Sequence, residues 1–194
     1  MAALGGEDRL AGRDAMTEGT AVTTGWVQGL ALLVVRWSGL AMAVGFALLG
    51  HWVEAAVAML VALGQVVAWR SRLPLVWEVA TSAACMAAAV SSYLLLFERI
   101  SWWDIPVHAL LNGLLAVLVA RVVRSPDPSV VEIVVTGAIL AVVWELMELA
   151  GHYWVDPSVE VAPADTALDL LAALVGSVVA ARLWRRRRAS QPAR

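Results

Sequence analysis

Six ionisable side chains lie inside or at the ends of otherwise apolar stretches of this 194-residue chain, and their types suit metal binding or acid–base chemistry. These residues are Asp104, His108, Glu145, Glu148, Asp165 and Asp169. Carboxylates combined with one or two imidazoles suit a hard or borderline divalent ion such as Mg, Mn, Fe or Zn. A bound ion of this kind can activate a water molecule as a nucleophile. The residue types therefore predict an acid–histidine site that is a candidate for a divalent cation.

The spacing of these residues puts them on one face of each of three helices, because residues three and four apart lie on the same helix face. The spaced sets are Asp104, His108 and Asn112, then Glu145, Glu148 and His152, then Asp165 and Asp169. At about 1.5 Å per residue, the acidic groups lie within roughly 10 Å of one membrane boundary. Glu54, two residues after Trp52, joins the same layer.

The acids in this layer need compensation for their charge, because several carboxylates in a low dielectric cannot all stay ionised side by side. Either some of them are protonated or a cation lies among them. We predict His108 as a metal ligand or general base, with Asp104 as its orienting partner. The acids predicted as ligands or acid–base groups are Glu145, Glu148, Asp165 and Asp169.

Simpler roles remain open for four of the polar residues. Asp104 and Asp165 each lie two residues from a proline at the start of an apolar segment, where a helix N-cap is expected. His152 and Glu54 lie near segment ends, where an ionisable side chain can reach the interface. Capping does not account for the residues a turn or more inside a segment, namely His108, Glu145, Glu148 and Asp169.

The composition shows what kind of element must position these residues. The chain is 61% hydrophobic and 15% charged, its mean hydropathy is +0.76, and all 14 basic residues are arginine. These values argue against a soluble globule, a disordered chain and a nucleic-acid-binding protein. The single cysteine, Cys85, excludes both a disulfide framework and a cysteine-rich zinc site.

Six apolar segments predict an all-α, polytopic bundle of six transmembrane helices, since a span needs about 20 apolar residues and lipid favours helices. The predicted helices cover about 26–49, 52–69, 74–97, 105–123, 129–152 and 165–184. Together they form one transmembrane domain, residues 25–184. We predict that residues 1–24 form a flexible cytoplasmic tail and residues 185–194 a basic cytoplasmic tail.

The arginines predict the orientation of the bundle. They concentrate in the connections after the second and fourth segments and after the sixth, so the positive-inside rule places both termini in the cytoplasm. Tryptophans near the segment ends fit interfacial belts, with Trp77 and Trp184 inside and Trp102 and Trp103 outside. In this orientation the acid–histidine layer faces the extracytoplasmic side of the membrane.

Three further features predict local structure. Ser129 and Glu132 have the spacing of a capping box, which explains Glu132 without any function. Arg36, in the middle of the first segment, is predicted to form an ion pair with Glu78 or with Glu132, although an arginine can also snorkel to the interface. Small residues at four-residue spacing predict close helix packing on the sixth segment, namely Ala172, Gly176 and Ala180.

Three fragments in order resemble a known family. They are Trp103-Asp104-x-x-x-His108, then Trp144-Glu145-x-x-Glu148, then Asp165-Thr166-x-x-Asp169 followed by Gly176. This order resembles the YjdF-type family of uncharacterised bacterial inner-membrane proteins and, more remotely, is similar to VanZ-like proteins. The resemblance covers mainly residues 100–180. It implies a polytopic protein of the bacterial inner membrane with an acid–histidine site, and it supplies no reaction.

Three classes of function fit this pattern. The first is a membrane-embedded, metal-assisted enzyme acting on a lipid or lipid-linked substrate at the outer leaflet. The second is a scaffold or accessory subunit in which the acids form a buried hydrogen-bonded network. The third is a proton-coupled transporter, since acids inside membranes also serve proton relays. The position of the acids near one face favours the first two classes over the third.

Overall fold

The structure is a computed structural model that describes residues 7–155 and 161–189, with side chains described from residue 28 onward. Within these residues the chain forms seven helices and no strand. They are α1 (Glu7–Leu48), α2 (Trp52–Arg70), α3 (Leu75–Tyr93), α4 (Leu96–Arg99), α5 (Asp104–Val123), α6 (Val130–Trp154) and α7 (Pro163–Ala189).

Six of the helices contain stretches long and apolar enough to cross a membrane, which confirms the predicted all-α polytopic fold. These spans are Gln28–Leu48, Trp52–Arg70, Leu75–Tyr93, Asp104–Val123, Val130–Trp154 and Pro163–Ala189. Only α4, a single turn, is too short among the described helices. The bilayer is therefore the environment of this chain, and many large apolar side chains on the bundle surface are suited to contact with lipid.

Three helix boundaries differ from the predicted ones. α1 begins at Glu7 and α7 continues to Ala189, so both helices extend into the predicted tails. Extending an existing helix adds one hydrogen bond for each residue that is fixed, which explains why polar residues can continue it. The predicted segment 74–97 is divided, because Leu95 adopts a left-handed conformation with φ 56° between α3 and α4. Residues 1–6 and 190–194 of the predicted tails lie outside the described residues.

The helices pack as two groups of three. α1, α2 and α3 contact one another, α5, α6 and α7 contact one another, and α3 joins the groups by packing against α5. The main apolar core lies between α3, α5, α6 and α7 and contains Leu114, Val117, Ile133 and Ala181. The predicted site helices, α5 to α7, thus form one of the two groups.

Small residues bring the backbones of α5 and α7 into close contact, as predicted for the sixth segment. A Cβ atom at Gly113 would lie 2.5 Å from the carbonyl oxygen of Gly176. A Cβ atom at Gly176 would overlap the backbone carbonyl of Ala109. Ala172 and Ala180 are also buried. In a membrane, where lipid is as apolar as the helix surface, such packing is a principal source of helix association.

The side-chain amide of Asn112 on α5 forms hydrogen bonds with both α6 and α7. Its Nδ2 atom donates to the carbonyl oxygens of Gly137 (3.1 Å) and Ala173 (3.2 Å) and to Ser177 Oγ (3.0 Å). The sequence pattern grouped Asn112 with the polar stripe of Asp104 and His108. The structure instead places Asn112 in the interface between helices, where its hydrogen bonds stabilise packing.

Two predicted polar contacts are confirmed. Arg36 Nε lies 2.6 Å from Glu78 Oε1, so the ion pair is made with Glu78, and the Arg36 guanidinium also lies 5.3 Å from the centre of the Trp69 ring. Ser129 and Glu132 form both hydrogen bonds of a capping box at the start of α6. The ion pair between α1 and α3 accounts for Arg36 and Glu78, and the capping box accounts for Glu132.

A second buried network, centred on Gln65, was not predicted. Gln65 is 1% exposed, and its Nε2 atom donates to Ser38 Oγ at 2.9 Å and Ser82 Oγ at 2.8 Å. Its Oε1 accepts from the backbone N–H of Gly39 at 3.0 Å, while Ser82 donates to the carbonyl of Val35 at 2.6 Å. These bonds fix α1 against α2 and α3.

Two tryptophans predicted for the interface are buried in the core instead. Trp184 is 1% exposed and Trp77 is 8% exposed, and their ring centroids are 5.3 Å apart. The guanidinium carbons of Arg121 and Arg188 lie 5.7 Å and 5.8 Å from the Trp184 ring centre. Apolar burial and cation–π contact together explain why these indoles face the bundle rather than lipid.

Candidate functional site

Asp104, His108 and Asp169 come together at the end of the bundle where α5 and α7 begin. One ligand atom from each of the three residues lies within 4.8 Å of the other two. The His108 Nε2 atom lies 3.0 Å from Asp104 Oδ1, one helical turn away on α5. We call these three residues the acid–histidine cluster. Their spacing is compatible with ligation of one metal ion by two carboxylates and one imidazole.

The cluster lies mostly inside the protein. The side chain of His108 is 10% exposed and that of Asp104 is 31% exposed, while Asp169 is 2% exposed as a whole residue. The Asp169 carboxylate interacts electrostatically with the His108 side chain. A buried carboxylate is costly unless its charge is compensated, so this group is well suited to a cation.

The helix packing explains why the three residues meet. Gly113 and Gly176 bring α5 and α7 into contact. His108 directly precedes Ala109, which Gly176 contacts, and Asp169 lies about two turns before Gly176 on α7. Asp104 is the first residue of α5, and Trp103 before it makes no capping hydrogen bond. The N-cap position of α5 is thus held by Trp103 and not by Asp104. The side chain of Asp104 contacts His108 instead.

Glu145 and Glu148 of α6 lie beside the cluster and do not belong to it. Glu148 Oε1 accepts a hydrogen bond from the indole Nε1 of Trp144 at 2.8 Å, and Glu145 is hydrogen-bonded by the side chain of Thr166. Both carboxylates are near enough to His108 to interact with it electrostatically. Because both acids already accept hydrogen bonds from other side chains, they are suited to proton transfer beside the cluster.

Three other predicted members of the layer lie outside the cluster. Asp165 is in the first turn of α7 and interacts electrostatically with Glu145 and Asp169. Glu54 pairs with His51, whose Nδ1 lies 3.6 Å from Glu54 Oε1, at the start of α2. His152 packs its ring against Tyr153, with centroids 5.1 Å apart. Of the predicted metal ligands, the structure thus joins His108 and Asp169, with Asp104 as the third member.

Trp144 and Thr166 contact the site and were not predicted as site residues. The Trp144 ring lies edge-on to His108, with centroids 6.3 Å apart, while its N–H binds Glu148. Thr166 holds Glu145. Both residues stand within the fragments that resemble the YjdF-type family, which is the one sequence signal that pointed to them.

The fold and the site define a polytopic α-helical membrane protein with an acid–histidine cluster at one end of its bundle. Residues 24–190 match the family model described as "Predicted membrane protein (DUF2238)", and the chain belongs to this family. The match covers most of the chain and confirms the resemblance to the YjdF type. No curated protein and no solved structure matches the chain.

Proposed function

We propose that this protein binds a divalent cation, of the class Mg, Mn, Fe or Zn, at Asp104, His108 and Asp169. We further propose that it uses the cation to act on a lipid or lipid-linked substrate at the extracytoplasmic face of the bacterial inner membrane. The observation that carries the proposal is the approach of three ligand atoms to within 4.8 Å of one another. Asp169, 2% exposed, adds a carboxylate that a cation would compensate.

The surroundings of the cluster support a chemical role for the bound ion. Three protein ligands leave coordination positions for water or substrate, which is the arrangement of catalytic rather than closed structural sites. In this role Glu145 and Glu148 supply the acid–base groups, since both lie close to His108 without being members of the cluster. Trp144, beside His108 and 40% exposed, marks the side of the cluster that faces the membrane.

Metal binding by the purified full-length protein tests the proposal. We expect one Mn²⁺ per chain in a titration followed by electron paramagnetic resonance, and a bound metal in elemental mass spectrometry. His108→Ala and Asp169→Asn should each raise the Mn²⁺ dissociation constant by about 100-fold, since each removes a ligand. His51→Ala is the matched control, because His51 lies at the same end of the bundle and outside the cluster.

Two results would contradict the metal site. One is a folded wild-type protein that binds no divalent ion at micromolar concentrations. The other is an equal Mn²⁺ affinity for His108→Ala, His51→Ala and the wild type. Gel filtration and helical circular dichroism of every variant separate loss of the site from loss of the fold.

A non-catalytic scaffold is the second candidate function, and the hydrogen bonds of Asn112 favour it. These bonds and the close contact of α5 with α7 hold the three site helices together without any metal. Glu148→Gln distinguishes the candidates. The scaffold tolerates this change because the amide can still accept from Trp144. An enzyme loses an acid–base group, so cells that carry the variant should behave like cells that lack the protein.

A further inference from the structure

Several guanidinium groups come together where α5 and α7 end, at the end of the bundle opposite the acid–histidine cluster. α7 ends with four consecutive arginines, residues 185–188, which one helical turn distributes around the helix. Arg188 of this run and Arg121 of α5 lie against the same buried indole, that of Trp184. We call this region the arginine end.

The guanidinium groups of the arginine end are held close to one another. Arg121 Nη1 and Arg188 Nη2 both donate to the carbonyl oxygen of Pro126, the second at 3.4 Å, so the two groups meet at a single atom. Arg188 also pairs with Asp127. Arg187 interacts electrostatically with Arg121. Guanidinium groups this close repel one another unless an anion compensates them.

The acids of this region are too few to provide that compensation. Residues 121–132 and 182–189 contain seven arginines and two acids, Asp127 and Glu132. Glu132 already accepts the hydrogen bond of the capping box from the backbone of Ser129. The arginine end therefore carries a surplus of positive charge.

This surplus lies at the depth of lipid headgroups. Arg121 is in the last turn of α5, whose membrane span ends at Val123, and Arg187 and Arg188 are in the last turn of α7. The phosphates of bilayer lipids lie where the spans leave the hydrocarbon core. The guanidinium groups are thus within reach of these phosphates.

An exposed apolar row leads along α7 to one of these arginines. Its members are spaced four residues apart and are 50% to 60% exposed, namely Leu171, Val175, Val179 and Leu183. Arg187 is the next residue at this spacing. Residues four apart are neighbours on a helix surface. This α7 row is therefore a hydrocarbon surface that runs from the interior of the membrane to the arginine end.

We propose that the arginine end binds the phosphate of an anionic phospholipid, with an acyl chain lying along the α7 row. Guanidinium groups match the geometry and charge of a phosphate, and basic sites between membrane helices are suited to anionic headgroups. The α7 row favours a lipid over a free phosphate, because only the lipid has a chain that can cover it. The inference does not rest on the proposed function, since it uses no residue of the acid–histidine cluster.

Native mass spectrometry of the purified full-length protein in detergent micelles tests the proposal. Phosphatidylglycerol and phosphatidylcholine with identical acyl chains are titrated separately, so that only the headgroups differ. We expect phosphatidylglycerol to bind about tenfold or more tightly than phosphatidylcholine, because only its headgroup carries a net negative charge. Inorganic phosphate at millimolar concentration should not displace the lipid.

Three variants make the expectation specific. Arg187→Gln should weaken the binding of phosphatidylglycerol by about fivefold, which is the attraction of one arginine near an anionic surface, and should leave phosphatidylcholine unchanged. Arg187→Lys should retain most of the affinity because it keeps the positive charge. Arg99→Gln is the matched control, because it removes an exposed arginine from α4, at the end where α5 begins.

Three outcomes would overturn the inference. They are equal affinities of the wild type for the two lipids, equal effects of Arg187→Gln and Arg99→Gln, and displacement of the lipid by inorganic phosphate. The last would identify a site for a free anion. Gel filtration and circular dichroism of each variant show that the fold is kept.

Discussion

At the scale of single residues, the fold depends on a few buried polar side chains that each have a defined partner. Glu78 is 5% exposed and Arg36 neutralises it, while Gln65 of α2 satisfies polar groups of α1 and α3. In a low dielectric, removing one partner leaves the other without compensation, which costs more than removing both. The ion pair therefore constrains α1 against α3 more than it adds net stability.

The Arg36–Glu78 pair gives a prediction at this scale. Arg36→Met should lower the free energy of unfolding by about 3 kcal/mol, because it leaves a buried carboxylate unpaired. The double variant Arg36→Met with Glu78→Met should be clearly more stable than the single one. Unfolding in mixed micelles, followed by circular dichroism, measures both. A double variant less stable than Arg36→Met would contradict the cost assigned here to the unpaired Glu78 carboxylate.

At the scale of helices, the contact between α5 and α7 sets the geometry of the site. The backbones touch at Gly113 and Gly176, and Gly176 contacts Ala109, the residue after His108 of the cluster. A small increase in helix separation at this contact would move His108 away from Asp169. Packing and ligation are therefore coupled, since a metal site tolerates only small changes in ligand distance.

Gly176→Ala tests that coupling. The added methyl group would overlap the Ala109 backbone, so we expect a loss of about 1–3 kcal/mol of stability from overpacking and a weaker Mn²⁺ affinity. Gly151→Ala is the control, because a Cβ atom there meets nothing within 4 Å. Thermal unfolding and the Mn²⁺ titration give the two readings. If Gly176→Ala matched Gly151→Ala in both, the close contact would not position the site.

Helix existence could be predicted from sequence, whereas helix rotation could not. Apolar runs bounded by polar connections are enough to give six spans, and local spacing is enough to give the Ser129–Glu132 capping box. A polar stripe, however, shows which residues share a face and not which neighbour that face meets. For this reason the stripe of α5 divides in the structure: His108 meets Asp169 of α7, while Asn112 packs between helices.

At the scale of the whole molecule, charge is separated between the two ends of the bundle. The end where α5 and α7 begin carries the cluster and the acids around it. The opposite end carries Arg121 and Arg188, which contact Trp184, and the Arg188 guanidinium also pairs with Asp127. The positive-inside rule predicts that the arginine end faces the cytoplasm and that the cluster faces outward.

Cysteine labelling in intact cells tests this orientation. Cys85 is buried and is the single cysteine, so Cys85→Ala gives a background without thiols. Added to it, His51→Cys at the cluster end should react with a membrane-impermeant maleimide, and Ala189→Cys at the arginine end should react only after the cells are opened. The reverse pattern would place the cluster in the cytoplasm and would contradict an extracytoplasmic substrate.

The arginine end has a consequence for how the protein can respond to acidity. Arg121 also donates to backbone carbonyls of Ser71 and Pro126, so it links the end of α7 to two connections. A guanidinium keeps its proton at every physiological pH, unlike an ammonium group placed in a similar apolar setting. The contacts of Arg121 at this end therefore persist at every physiological pH, and a response to acidity would not begin at this residue.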